Sequence, residues 1–327
     1  MNIHDRQALK QSAAASLAPG GNHKQLITVH IGLTLALSFL VAVVTYLLEQ
    51  QIGSTGGLGG VGPRAILETV QSVLQLGQFI VLSFWQFGWL CTAMTLSRQQ
   101  KPTTDALLSG FRQFAPYLRL TLLQLVIYFV IGMAGSYAAT ILFMLTPFAQ
   151  PLLGVFSQAI TENWESQAIY AAMDDAMTDV LLPLVLTYLV VFLLLAAPVF
   201  YRIRFAPYCL ADDAEGKALR ALKRSFSMTR GNALALLRLD LSFWWFYALD
   251  LLVSVIAYLD LLLGAAGVTL PGPAWVSYFG TLAVYGVFQL LLYRWRKPQV
   301  DVTYVKAYES LQGPQPVKKP QNFPWTN

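Results

Sequence analysis

Charge is what this sequence has least of. Asp, Glu, Lys and Arg make up 12% of the 327 residues against 56% hydrophobic, where a soluble domain carries about 25% charged residues, and the shortfall argues against a soluble chain. It is also uneven. No charged residue occurs from Gln25 to Leu48, Thr69 to Ser97, Leu120 to Thr161, Val180 to Tyr201 or Leu261 to Tyr293, and each stretch exceeds the roughly 20 residues that cross a hydrocarbon core. Backbone groups in lipid are satisfied only within a helix or a closed barrel. These blocks lack the two-residue alternation of barrel strands, so helices are expected.

Cysteine is nearly missing: Cys91 and Cys209 stand far apart, outside any CxxC or Cys/His spacing. Both are read as reduced and neither as a ligand, which excludes a disulfide framework and a zinc site. His4, His23 and His30 are scattered singles without metal-ligand spacing. GxGD, GxSxG, HExxH and the Walker A pattern are absent, so no catalytic residue, metal or cofactor is expected and the enzyme class is set aside. The GGLGGVG run at Gly56 to Gly62 lacks the following Lys-Ser/Thr of a phosphate-binding loop and is read as a tether.

What is present reads as an all-α, polytopic integral membrane protein with about six transmembrane helices, near 26–48, 74–96, 120–145, 180–201, 241–263 and 275–293. The first block follows a polar segment and continues into more spans, so it is read as a span rather than a cleaved signal. Residues 1–24 form an N-terminal segment, 25–297 the membrane domain and 298–327 a tail, disordered from about 313 where Pro and polar residues dominate. Within the tail, Val302, Val305, Tyr308 and Leu311 suggest a short surface helix. The apolar stretch after the third span, broken by Pro147 and Pro151, is expected to be interfacial or re-entrant.

Of the 22 Lys and Arg, all but Arg64 fall on one side of this arrangement. The positive-inside rule then places both termini in the cytoplasm. The opposite side carries an acidic loop with Glu162, Glu165, Asp174, Asp175 and Asp179, read as a solvated face. The basic residues border spans rather than forming one soluble face, so no nucleic-acid partner is expected.

Two cytoplasmic connectors read as amphipathic helices at the membrane surface. In the first, Leu107, Phe111, Phe114 and Leu118 form one helical stripe behind a Thr103-Thr104-Asp105 start. In the second, Leu219, Leu222 and Phe226 line one side, while Lys217, Arg220, Lys223 and Arg224 surround the rest and are the candidate contacts to anionic lipid. Ala106, Leu107 and Phe111 recur in spacing as Ala221, Leu222 and Phe226, which hints at a parallel duplication of span and connector.

Asp250 is the candidate intramembrane polar site, because nine residues of rise from the start of span five put it near the bilayer centre. A charge there costs at least about 2.5 kcal/mol on insertion scales. It is expected to be protonated, or bonded to Tyr247, Ser254 or a glutamine from another helix such as Gln289. Asp250 and Asp260 lie about 15 Å apart along one helix, too far for an aspartyl protease dyad. Two readings follow: a non-enzymatic scaffold, accessory subunit or lipid- or peptide-interacting protein, with membrane lipids and other membrane proteins as partners; and, alternatively, a transporter or channel using Asp250 as a proton or cation site.

The segments DRQALKQSAAASL before span one, LLSGFRQFAPYLRLTLL, and YRIRFAPYCLADDAEGKALRALKRSFSMTRGNALALLRLDLSF resemble the DUF975 family of bacterial multi-pass membrane proteins. The last segment has the family's order of a short acidic turn, a basic helix with a serine, and a glycine before a span. The resemblance implies a multi-pass membrane domain and carries over no catalytic residue.

Overall fold

The computed structural model describes residues 3–18, 23–55, 61–162, 164–213, 216–259, 262–263 and 273–312, and among them there is helix but no strand. The helices are α1 (Arg6–Leu17), α2 (His23–Thr55), α3 (Val61–Ser97), α4 (Thr104–Arg112), α5 (Phe114–Met144), α6 (Gln150–Glu162), α7 (Ser166–Ile203), α8 (Ala206–Asp212), α9 (Ala218–Thr229), α10 (Ala233–Leu241), α11 (Trp244–Ala257) and α12 (Ala274–Leu311). Five of them are long and apolar enough to cross a membrane, or six if α10 and α11 count as one span bent by 63°. Their large side chains are turned outward: Leu40, Phe129, Leu182, Leu194 and Leu251 are all at least 60% exposed. Bare apolar surface on that scale belongs in lipid.

Several expectations are corrected. Span five is not one straight helix, because Ser242 and Phe243 break it at the bend, and Asp260 lies outside the described residues. Of the acidic residues after span three, Glu165 lies in the short connection ahead of α7, but Glu162 ends α6 and Asp174, Asp175 and Asp179 lie within α7. The interfacial stretch is α6, which packs Leu152 on Phe143, Ala176 and Val180. The short surface helix of the tail is instead the end of the continuous α12, which passes through Pro298. Residues 56–60 of the glycine run and everything from 313 lie outside the described residues.

The chain divides into two compact units. The first takes in Met1–Tyr117, Pro207–Ala221 and Leu234–Asn327; the second takes in Leu118–Ala206 and Leu222–Ala233. In the second unit, Thr140 and Tyr188 share a hydrogen bond of 2.6 Å between α5 and α7, and Gly135 faces Phe192 and Leu195. Small residues and hydroxyls at such contacts are the usual means by which membrane helices approach.

In the first unit, burial concentrates at the end of the helices that carries most of its basic residues. Phe84 to Leu96 on α3, Leu9 and Ala13 on α1, Leu210 on α8, Leu236 and Leu239 on α10, and Val302 to Tyr308 on α12 make its core. Trp275 and Trp295 on α12, 55% and 62% exposed, stand twenty residues apart, about 30 Å along the helix. That matches the hydrocarbon thickness of a bilayer, with a tryptophan at each boundary. The core therefore lies at the Trp295 boundary and beyond it.

Here α4 does not lie flat. It runs antiparallel along the end of α3, so close that a Cβ on Gly88 would come within 1.9 Å of the Leu107 carbonyl oxygen, and one on Gly110 within 1.9 Å of that of Phe84. Only glycine permits this approach. Leu107 is buried, but Phe111 and Phe114 are exposed, and Gln113 ends α4 before α5 begins. The expected single stripe is thus broken between two helices.

Candidate functional site

Asp250 follows Trp245 by five residues on α11, and the Trp245 ring lies 6.0 Å from that of Trp295, with the Arg296 guanidinium 5.3 Å above it. Five residues of rise put Asp250 about 7.5 Å inside that boundary, half of the way to the centre of a core about 30 Å thick. The nine residues of rise expected to carry Asp250 to the bilayer centre cross the bend between α10 and α11, so they do not run along one straight helix.

The amide of Gln289 on α12 donates to Asp250 Oδ1 at 3.3 Å, and the Tyr293 hydroxyl is a hydrogen-bonding neighbour of the same carboxyl. Tyr285 stands one turn before Gln289 and shares its helix face. Ser254 bonds the Asp250 backbone carbonyl at 2.8 Å rather than its side chain. Tyr247 turns to Tyr304 at 2.7 Å, and the Tyr304 hydroxyl donates to Asp240. Ser254 thus meets Asp250 through the backbone; Gln289 was among the glutamines expected, and Tyr285 and Tyr293 were not named. Their one-turn spacing around Gln289 on a helix facing α11 was the available signal.

A cleft of about 310 Å³ opens beside this cluster between α2 and α12, lined by Leu35, Ser38 and Phe39 on one wall and by Leu282, Tyr285 and Gly286 on the other. Tyr285 belongs to both features.

The candidate lipid contacts sit on α9. This helix buries Ala218, Ala221, Leu222, Ser225 and Thr229, and turns Leu219, Arg220 and Lys223 outward, with the exposed Arg230 just past its end. Ser225 donates to the Arg202 carbonyl at 2.6 Å, satisfying an acceptor near the end of α7. Gly231, at φ +82°, ends the helix in the left-handed conformation. Of the expected apolar stripe, Leu222 is buried, Phe226 half-buried and Leu219 exposed, and the rest of the buried face is made of small residues. Arg220 is held 3.7 Å from Asp213, Lys217 and Lys223 are exposed, and Arg224 is half-buried.

A densely connected polar group is Asp212, whose side chain is 3% exposed. It accepts from Arg98 at 2.7 Å, Tyr308 at 2.9 Å and Gln312 at 3.2 Å. Burial works against the Arg98 charge, but the Asp212 carboxylate and Glu309 outweigh it and raise the guanidinium pKa above its ordinary value. Lys306 donates to the Ser97 carbonyl at 2.7 Å and to Glu309 at 3.2 Å, satisfying a carbonyl at the end of α3. Further along α12, Asp301 accepts from Trp89 at 2.6 Å and pairs with Lys297 at 3.3 Å. The His30 ring stacks between Trp85 and Trp89, 5.4 Å from each.

These parts, from the helix ahead of α2 to the last turn of α12, coincide with one family model, described as a protein of unknown function (DUF975), which matches residues 1–312. The chain belongs to the DUF975 family. No curated protein matches the chain, and no solved structure does. The DUF975 match extends over α9 and the Asp212 network as well as the apolar helices.

Proposed function

We propose that this DUF975 protein is a non-enzymatic multi-pass protein of the bacterial cytoplasmic membrane, with both termini in the cytoplasm, acting as a scaffold or accessory subunit that holds anionic lipid at that face through α9. The observation that carries the reading is the division of α9 into a buried face of mostly small residues and an outward face of Arg220 and Lys223 around Leu219, with Arg230 exposed just past its end. An apolar side chain among cations suits a headgroup layer, where each basic residue contributes about 1 kcal/mol.

The test replaces Lys217, Arg220, Lys223 and Arg224 with glutamine and measures phosphatidylglycerol retained on the purified protein by native mass spectrometry. Retention is expected to fall at least about tenfold. Lys223→Gln alone should lower it more than Arg220→Gln, because Asp213 already neutralises Arg220. Unchanged retention in the fourfold variant sinks the reading.

A further inference from the structure

The Asp250 carboxylate lies inside the apolar layer, yet among the described residues no Lys, Arg or His forms an ion pair with it. Its neighbours are the Gln289 amide, the Tyr293 hydroxyl and, more loosely, Tyr285. Gln289 is 7% exposed, and its Oε1 is buried with no hydrogen-bond partner among the described residues. The carboxylate is left without a counter-charge and the Gln289 carbonyl oxygen without a donor, a costly arrangement away from water. The group that suits both is a cation carrying several N–H donors.

The neighbouring cleft narrows the choice. Its walls are apolar apart from Ser38 and Tyr285, and both belong to helices apolar enough to cross a membrane, so hydrocarbon fills it naturally. Leu282 to Gly286 precede Gln289 by three to seven residues, which sets the cleft about 5 to 10 Å deeper from the Trp295 boundary than Gln289. Polar cluster toward the boundary and cleft toward the centre is how a lipid stands in the leaflet on that side.

We propose that Asp250, Gln289, Tyr285 and Tyr293 bind the protonated primary amine of an aminophospholipid such as phosphatidylethanolamine, with an acyl chain in the α2–α12 cleft. The ammonium donates to the Asp250 carboxylate and to Gln289 Oε1, and its third N–H meets a tyrosine oxygen. A quaternary ammonium has no N–H to give Gln289. An inorganic cation leaves the cleft unused. This site is separate from α9 and takes a zwitterionic lipid, so the two assignments fail independently.

The experiment places the purified protein in phosphatidylcholine nanodiscs containing a minority of phosphatidylethanolamine and compares the retained lipids by native mass spectrometry. Phosphatidylethanolamine is expected to be enriched about tenfold over its share, the worth of one charge-assisted hydrogen bond, and Asp250→Asn to abolish the enrichment. Added dodecylammonium should displace the lipid, whereas free ethanolamine, sodium or potassium should not. Leu282→Trp, which fills the cleft and leaves the carboxylate intact, should lower the enrichment as well and covers the case of a poorly folded Asp250→Asn. No enrichment in the native protein, equal enrichment in both variants, or displacement by sodium overturns the proposal. So does an infrared band of a protonated Asp250 carboxyl, since a neutral acid offers the amine no charge.

Discussion

At the level of single residues, large side chains such as Phe87, Trp89 and Tyr308 fill the core of the first unit, but at several helix contacts size decides orientation in the opposite sense from a soluble protein. Leu219, Phe111 and Phe114 are exposed, while Ala218, Ala221, Ser225, Gly88 and Gly110 sit at contacts. Lipid is as apolar as leucine, so burying a large side chain between helices gains little there, and close backbone approach gains more. A stripe of large apolar residues therefore marks a lipid-facing surface as readily as a core. In the two connector stripes Leu107 and Leu222 are accordingly buried while Phe111, Phe114 and Leu219 are exposed. Outside the apolar layer the ordinary rules return, and there Asp212 is the residue with most at stake. Asp212→Asn leaves Arg98 beside Glu309 alone and weakens the bonds from Tyr308 and Gln312. Because Arg98 is 29% exposed, the expected loss is about 2 kcal/mol rather than that of a fully buried pair. Tyr308→Phe, which removes one bond, should cost about 1 kcal/mol. Melting temperatures in one detergent should rank native, Tyr308→Phe, then Asp212→Asn; the reverse order of the two variants would remove Asp212 from the centre of the network.

Among the elements, the apolar blocks were legible because an absence of charge over such lengths has few physical meanings. The bend between α10 and α11 was not, since Ser242 and Phe243 carry no proline or glycine to announce it. Nor was the seating of α4, because two glycines more than twenty residues apart show their partnership only in space. The contact yields a sharp comparison on a single helix. Gly88→Ala must push the Leu107 backbone away and should destabilise by about 3 kcal/mol, at the upper end for overpacking. Gly77→Ala on the same helix meets nothing within 4 Å and should be neutral or stabilising by up to about 1 kcal/mol. Thermal unfolding of both variants checks this; equal behaviour would mean that α4 is not docked on α3.

For the whole molecule, orientation rests on the basic residues, and it makes one plain prediction. Reporter domains fused before residue 3 and after residue 312 should both be active on the cytoplasmic side; activity on opposite sides would mean that α10 and α11 do not together complete a crossing. The two Asp250 neighbours on α12 were hidden from a segment-by-segment reading, because they act through a helix that also serves the opposite end of the first unit. That helix has a mechanical consequence. Gln289, Asp301, Tyr304, Tyr308 and Glu309 each hold a different partner, on α11, α3, α10, α8 and Arg98 in turn. They are all teeth of one rigid screw, and advancing it by a single residue turns them by about 100°. None can be disengaged separately by moving the rod, so a tilt or rotation imposed on its lipid-facing half is felt at every attachment at once.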